Sequence, residues 1–205
     1  MRDSRMMEGN SIDASGRLPS RLRIAVLAAG VALILLIPLI AMQFSDEWNW
    51  NLFDFIFAGT LLFGAGLTYE VVAKKGGTIA YRVACAVAIV TALLLVWVNA
   101  AVGIIGDDES ANILYLGVLV VGIAGALVAR FRPPGMARTL FAMAVAQLLV
   151  PVVVLMIPAL RDSLWEPPGI VGVFILNTIF ALLWIGSAWL FRKAARENPH
   201  AGALL

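Results

Sequence analysis

The sequence predicts an all-α, polytopic membrane protein: a six-helix transmembrane bundle with both termini in the cytoplasm. Composition, the length of the apolar runs and the distribution of charge each support this class. Of the 205 residues, 61% are hydrophobic and 14% are charged, and the mean hydropathy is +0.93. Soluble domains have about a quarter of their residues charged, so much of this chain's apolar surface has to face lipid. The apolar runs are continuous and about 20 residues long, as helices that cross a bilayer require.

The transmembrane domain is predicted over residues 22–191, between a flexible cytoplasmic tail, 1–21, and a second cytoplasmic tail, 192–205. The first tail is rich in Ser, Gly, Asp and Arg, and this composition cannot bury a core. The connections between spans are short, which leaves no room for a soluble catalytic domain. The predicted spans are 22–42, 52–73, 79–105, 112–129, 138–160 and 169–191.

The first span is too long for the apolar region of a signal peptide and is predicted to be an uncleaved anchor. The second begins within "WNWNLFDF", residues 48–55, where Asn51 is a good helix N-cap. The third and fourth spans carry small residues at helical spacing, which let helices approach closely in lipid, either within the bundle or between copies. The fifth and sixth follow the short connections "RFRPPGM" and "RDSLWEPP". The small residues are Ala80, Ala84, Ala88, Ala92, Gly117, Gly122 and Gly125.

The distribution of Lys and Arg predicts the orientation, because loops that carry these residues stay in the cytoplasm. With six spans, 14 of the 15 basic residues fall on one side, and only Arg161 falls on the other. Both termini are therefore predicted to be cytoplasmic, with an acidic outer face. The cytoplasmic set is Arg2, Arg5, Arg17, Arg21, Arg23, Lys74, Lys75, Arg82, Arg130, Arg132, Arg138, Arg192, Lys193 and Arg196.

Asp54, near the start of the second span, has two interpretations. It follows the cap residue Asn51 by three positions, where a carboxylate accepts from the cap N–H and meets the positive end of the helix dipole. It lies about 5 Å into the helix, which is shallow enough to keep contact with water. The alternative is a functional polar site near the outer membrane surface.

An outer polar cluster of Asp54, Asn99 and Asn177 is the predicted binding site. Asn99 and Asn177 lie in the outer halves of the third and sixth spans. If the three side chains face one another, they form a polar pocket that opens to the outside. The alternative is that the amides hydrogen-bond between helices. Gln147, in the inner half of the fifth span, is a further uncharged polar candidate.

Glu70 lies near the cytoplasmic end of the second span, where the helix dipole disfavours an anion. Lys74 follows it by four residues, the favourable order for an ion pair on one helix face. Arg82, across the "KKGG" turn, is a second partner candidate. We predict a structural ion pair that joins the second and third spans. The alternative is a carboxylate that handles protons or substrate.

Neither an enzyme, a cofactor nor a metal site is predicted. The acidic turn "GDDES", residues 106–110, lacks the spacing of a known cation loop. The single histidine, His200, lies in the C-terminal tail and cannot form the paired imidazoles of a haem site, and Cys85 has no second cysteine. The middle third of every predicted span is free of charged residues, which proton relays and ion-coupled carriers usually need.

Three segments resemble a group of small bacterial inner-membrane proteins that have no established activity. They are "NWNLFDFIFAGTLLFGAGLTYEVVAKK", "LLLVWVNAAVGIIG" and "ARFRPPGMAR", and the resemblance covers about residues 33–150. It implies a bacterial cytoplasmic-membrane location and carries over no activity.

Three functional classes remain open from the sequence. The first is a non-catalytic accessory or envelope component, whose partners are the lipid bilayer and either another membrane protein or a second copy of the chain. The second is a transporter or channel for a small neutral or weakly polar solute, lined by Asp54, Asn99 and Asn177. The third is a lipid-modifying enzyme that uses Asp54 or Glu70. The first is the predicted function, and nucleic acid is not an expected partner.

Overall fold

The computed structural model describes residues 20–44, 49–101, 103–105 and 109–197, and every regular element in these ranges is helical. This confirms the all-α class, and five of the helices are long and apolar enough to cross a membrane. The six-span topology stays a prediction. The elements are α1 (Ser20–Ala41), α2 (Leu52–Ala73), α3 (Ile79–Ala101), α4 (Glu109–Asn112), α5 (Leu114–Val128), α6 (Pro133–Met156), α7 (Pro158–Arg161), a 3₁₀ turn (Asp162–Leu164) and α8 (Gly169–Glu197).

The five long helices are α1, α2, α3, α6 and α8. The bounds of α2 match the predicted 52–73, but α6 begins at Pro133, five residues before the predicted 138. Proline is compatible with the first turn of a helix, because the N–H it lacks has no partner there. Most of both predicted tails, residues 1–19 and 198–205, lies outside the described residues.

Helix α8 continues to Glu197, six residues beyond the predicted end at 191. The extension is stabilised on two faces. Phe191 and Ala194 are buried on one face, and Lys193 pairs with Glu197 one turn later at 3.9 Å on the other. The predicted tail 192–205 therefore begins with an ordered helical turn and a half.

Helices α4 and α5 form one helical stretch with a single irregularity at Ile113. The backbone of Ile113 keeps helical angles, φ −61° and ψ −22°. The break arises because the Asn112 carbonyl accepts the side chain of Asn99 at 3.1 Å. The N–H of Leu116 then bonds to Ile113 O at 3.0 Å instead. A tertiary hydrogen bond thus replaces one helical bond without ending the helix.

The chain divides into two compact units, Met1–Leu67 and Thr68–Leu205. In the first unit, the glycines of α2 lie against leucines of α1: a Cβ added at Gly59 would lie 3.4 Å from Leu35, and one at Gly66 would overlap Leu27. In α1, Pro38 is the one buried residue among those whose side chains are described. Most of the large apolar side chains of α1 are therefore exposed.

The second unit has α6 at its centre. This helix packs against α5 and most extensively against α8, and α3 packs against the same α8. Ten of the 24 residues of α6 are buried. Most of them recur at three- and four-residue intervals, which is the spacing of one helix face. They are Met136, Ala137, Thr139, Leu140, Met143, Ala144, Gln147, Val150, Pro151 and Val154.

Candidate functional site

Asn177 is the centre of a buried group of polar side chains in the second unit. Its Nδ2 donates to the hydroxyl of Tyr115 at 2.9 Å, and to the carbonyl of Val173 one turn earlier at 2.8 Å. Its Oδ1 accepts from Gln147 Nε2 at 3.0 Å. These bonds connect α5, α6 and α8. We refer to Tyr115, Gln147 and Asn177 as the interior polar cluster.

The hydrogen bonds define the orientation of both amides. A carbonyl oxygen only accepts, so the Asn177 atom that faces Val173 O has to be the NH₂ group. The remaining Oδ1 then requires a donor from Gln147, whose own Oε1 is left buried and without a partner in the described part of the chain. The indole Nε1 of Trp184 is likewise buried and unpaired there.

The side chains of the cluster are buried between the helices. Asn177 and Gln147 have no exposed surface, and Tyr115 has 1%. Small buried residues, Ala144 on α6 and Ala181 on α8, lie one turn from the two amides and allow the helices to approach. A buried polar group without a bond costs about 1–3 kcal/mol, so the two bonds of Asn177 to Tyr115 and Gln147 stabilise one arrangement of these helices over others.

Asn99 belongs to a separate polar group, at the junction of α3 and α4. Its Nδ2 donates to Asn112 O, while its Oδ1 is buried without a partner among the described residues. The Asn112 Oδ1 accepts the N–H groups of Ile104 and Ile105 at 2.9 and 3.0 Å. Gly103 makes this turn possible through its positive φ of 71°. The amides of Asn99 and Asn112 thus close a buried turn.

Asp54 forms a reciprocal capping box with Asn51. The Asn51 N–H donates to Asp54 Oδ2 at 2.8 Å, and the Asp54 N–H donates to Asn51 Oδ1 at 3.1 Å. Both residues lie in the first unit, and the pair remains accessible to solvent. The predicted grouping of Asp54 with Asn99 and Asn177 stays a prediction. The bonds of the two asparagines on α3 and α8 place them in different polar groups.

Glu70 Oε1 lies 2.8 Å from Lys74 Nζ. Lys74 is four residues later, directly after the last residue of α2. The Arg82 side chain is exposed, and its backbone N–H bonds to Thr78 O at 3.3 Å. A role for Arg82 in the ion pair stays a prediction. Of the acidic turn 106–110, Asp107 and Asp108 lie outside the described residues. Among the described residues, no three His, Cys, Asp or Glu side chains could together hold a metal ion.

A tight turn between α5 and α6 lies beside the start of α3. Arg130 and Phe131 have positive φ angles of 49° and 59°, which non-glycine residues rarely adopt. Several contacts hold this conformation: Phe131 N–H donates to Ala126 O at 3.1 Å, and the Tyr81 hydroxyl donates to Phe131 O at 2.9 Å. The ammonium of Lys75 lies 4.0 Å from the centre of the Phe131 ring.

Tyr115 and Asn112 are the polar residues that the predicted site lacks. A tyrosine inside an apolar helix needs a partner for its hydroxyl, and this requirement could have identified Tyr115. The sequence places Gln147 in the inner half of its span, but the earlier start of α6 moves it past the midpoint to the level of Asn177. All buried polar side chains in the described ranges are uncharged: Thr91, Asn112, Thr139, Gln147, Ser163, Asn177 and Ser187.

Comparison with known proteins adds no relative. No family model, no curated protein and no solved structure matches the chain. The resemblance to small bacterial inner-membrane proteins therefore stays a prediction. Any assignment of function has to start from the geometry of the molecule itself, which offers hydrogen-bonding groups buried between helices.

Proposed function

We propose that the protein is a six-span protein of the bacterial cytoplasmic membrane, with both termini cytoplasmic. The span that the five long helices do not supply is the fourth in chain order, the stretch formed by α4, Ile113 and α5, which together comprise 20 residues. At 1.5 Å per residue this stretch is about 30 Å long, the thickness of the hydrocarbon core. An even number of spans also keeps the basic connections on one side.

Within that membrane, the proposed role is that of a non-catalytic accessory or envelope component. The observation that carries this proposal is the bonding of Asn177. This side chain is a candidate for solute binding, but its two amide hydrogens and its oxygen are all engaged by protein groups at 2.8–3.0 Å. Such an amide stabilises the contact between helices through hydrogen bonds. A solute could bind it only by replacing these bonds.

An accessory component needs a surface for its partner. Helix α8 presents a shallow, open apolar groove, lined by residues of this helix alone. Its single hydroxyl, that of Thr178, donates to Phe174 O of the same helix at 2.7 Å and leaves the surface without a free donor. Such a surface suits lipid chains or an apolar helix. The lining residues are Ile170, Val171, Phe174, Ile175, Thr178 and Ile179.

The role can be tested by photocrosslinking in native membranes. A photoreactive residue at Val171, on the groove, is compared with one at Val120, an exposed residue of α5. We expect a discrete protein adduct from position 171, of one size, and only lipid adducts from position 120. Lipid adducts alone at both positions, together with a monomer in mild detergent, would contradict the accessory role.

The six-span topology requires a separate test, because the number of spans can be wrong even if the accessory role is correct. Reporter fusions after residues 44, 76, 108, 132 and 166 sample the successive connections. We expect accessibility from the periplasm after 44, 108 and 166, and from the cytoplasm after 76 and 132. A periplasmic reporter after 132 would mean that the stretch of α4 and α5 does not cross the membrane. That result would overturn the six-span proposal.

The transporter class makes the opposite prediction for Asn177. If Asn177 lines a solute path, reconstituted protein should conduct small neutral solutes, and Asn177→Leu should reduce the flux while the protein stays folded. We expect no flux above that of empty liposomes. Flux that Asn177→Leu abolishes would replace the accessory role by transport.

A further inference from the structure

One end of the second unit carries a dense basic surface, which we call the basic patch. It contains nine basic residues, whereas the described carboxylates there are Glu70 and Glu197, each beside a lysine. The formal charge of this end is therefore +7 in the described residues. The patch comprises Lys74, Lys75, Arg82, Arg130, Arg132, Arg138, Arg192, Lys193 and Arg196.

Contacts between aromatic and cationic side chains bring these residues to the same end. Lys75 lies over the Phe131 ring at 4.0 Å, and Arg192 lies over the Phe141 ring at 5.1 Å. The rings of Tyr81 and Phe191, 5.2 Å apart, connect the start of α3 to the end of α8. Four segments that are distant in sequence thus meet at this end.

Two basic residues of the patch, Lys75 and Arg130, lie beside defined local contacts at Phe131. Lys75 is oriented by an aromatic ring, which leaves ammonium hydrogens to donate to another group. Arg130 is carried by the turn of positive φ, which the Tyr81 hydroxyl and two backbone bonds hold in place. Lys75 lies over the Phe131 ring and Arg130 directly precedes Phe131 in the chain, so an anion beside Phe131 would be within reach of two cations.

Apolar residues border the patch on the same elements. Val128 is 85% exposed and lies two residues before Arg130, and Ile79 is 79% exposed and lies three residues before Arg82. On α8, the exposed indole of Trp189 lies three residues before Arg192. A partner that covers this surface therefore needs an anionic group next to long apolar chains. This combination favours a phospholipid over nucleic acid or an acidic soluble protein.

We propose that the patch holds the phosphate headgroup of an anionic phospholipid, between Lys75 and Arg130, with its acyl chains along Leu127 and Val128. Basic surfaces at the membrane boundary attract anionic headgroups. The inference rests on the proposed membrane function, since a headgroup site requires helices that cross a bilayer. It does not depend on the proposed orientation, because such a headgroup can be supplied from either leaflet.

The test uses the full chain in neutral maltoside micelles. Phosphatidylglycerol is titrated in, with phosphatidylcholine as the reference lipid, and bound lipids are counted by native mass spectrometry. The variant Lys75→Gln/Arg130→Gly removes two charges, and glycine tolerates the positive φ of position 130. The control Lys193→Gln/Arg196→Gln removes two charges of the same patch from the last turns of α8.

Each of the two basic residues should contribute about fivefold, so we expect the first variant to bind phosphatidylglycerol about 25-fold more weakly and the control to lose less than about fivefold. Equal losses in the two variants would mean a diffuse field and overturn the proposal, as would equal binding of phosphatidylcholine. Displacement of the lipid by inorganic phosphate at the same concentration would also overturn it, in favour of a site for the free ion.

A folding defect is separated from a binding defect by a second variant. Lys75→Gln alone leaves the backbone of the turn at 130–131 unchanged and removes one of the two proposed headgroup donors. If the double variant does not fold, Lys75→Gln should still weaken binding about fivefold. Unchanged phosphatidylglycerol binding in a folded Lys75→Gln protein would then contradict the site. Because micelles expose both ends of the protein, a wrong topology leaves these results unchanged.

Discussion

The capping box at the start of α2 and the interior polar cluster use the same chemistry at very different distances along the chain. Asn51 and Asp54 are three residues apart, and both remain accessible to solvent. Asn177, which is fully buried, bonds to residues 30 and 62 positions away. The first arrangement stabilises a helix end, whereas the second determines which helices are neighbours.

This difference implies different energetic consequences. Water can replace a lost bond at the exposed box, so a truncation there removes only the net value of a helix cap, about 1 kcal/mol. Water cannot reach the buried cluster without a gap, so a truncation there leaves unsatisfied groups in an apolar interior. Substitutions at buried and exposed positions test this contrast.

Asn177→Leu should have the largest effect, a loss of about 2–4 kcal/mol in the free energy of unfolding. The substitution removes three bonds and leaves the Gln147 amide and the Tyr115 hydroxyl buried without that partner. Reversible unfolding in mixed micelles measures the loss. The neighbouring Thr178→Ala is the control, since that exposed hydroxyl bonds within its own helix. Equal effects of the two substitutions would remove the contrast between buried and exposed sites.

Gly125→Ala should destabilise the contact between α5 and α6 by about 1–3 kcal/mol. A Cβ at this position would lie 2.5 Å from Thr139 Cγ2 and 2.6 Å from Thr139 Oγ1. Thr139 cannot easily turn away, because it is β-branched and its hydroxyl donates to Gly135 O at 3.1 Å.

Gly117→Ala provides the matched control on the same helix, because nothing lies within 4 Å of the added Cβ. We expect it to be neutral or slightly stabilising, as alanine favours helix over glycine by up to about 1 kcal/mol. If Gly125→Ala proved as harmless as Gly117→Ala in the same unfolding measurement, α5 and α6 would not pack through these residues.

Ser187→Ala should reduce stability by about 0.5–1.5 kcal/mol, because it removes a single bond between helices. The Ser187 hydroxyl donates to Ala84 O across the α3–α8 contact at 2.8 Å. Thr91→Val is the comparison, since the Thr91 hydroxyl bonds within α3, to Val87 O. A larger loss from Thr91→Val than from Ser187→Ala would contradict the importance assigned to bonds between helices.

Asn51→Ala should have the smallest effect, about 0.5–1 kcal/mol, confined to the first turn of α2. Hydrogen exchange should increase at the N–H of Asp54 and leave the amides of α6 unchanged. Asn49→Ala, two residues earlier and outside the helix, is the control and should change neither. Faster exchange in α6 on mutation of Asn51 would show that the box acts beyond its own helix.

Local patterns predict the features that depend on local physics. The bounds of α2 and the pairing of Asn51 with Asp54 both follow from a cap residue, a carboxylate three positions later and an apolar run. The charged residues after the predicted span end at 191 resemble a tail, so the sequence does not predict that α8 continues to Glu197. The burial of Phe191 and Ala194, which keeps this segment helical, depends on the other helices.

The rotation of each helix cannot be read from the sequence. The small hydrophobic contrast between helix faces in lipid leaves this rotation open, so Asn99 and Asn177 can be grouped by depth alone. The structure instead directs Asn99 to Asn112 and Asn177 to Gln147. Likewise, the break at Ile113 arises from the Asn99 side chain of α3. Residues 109–116 contain no local pattern that predicts it.

A double-mutant cycle on Gln147 and Asn177 tests most directly whether the interior polar cluster fastens the helices together. The free energies of unfolding of Gln147→Leu, Asn177→Leu and the double variant are compared with that of the unmodified protein. We predict a coupling of about 1 kcal/mol or more, with the double variant less destabilised than the two single losses combined, since it leaves fewer buried groups unsatisfied. Strictly additive losses would show that the two amides do not support each other and would contradict the account.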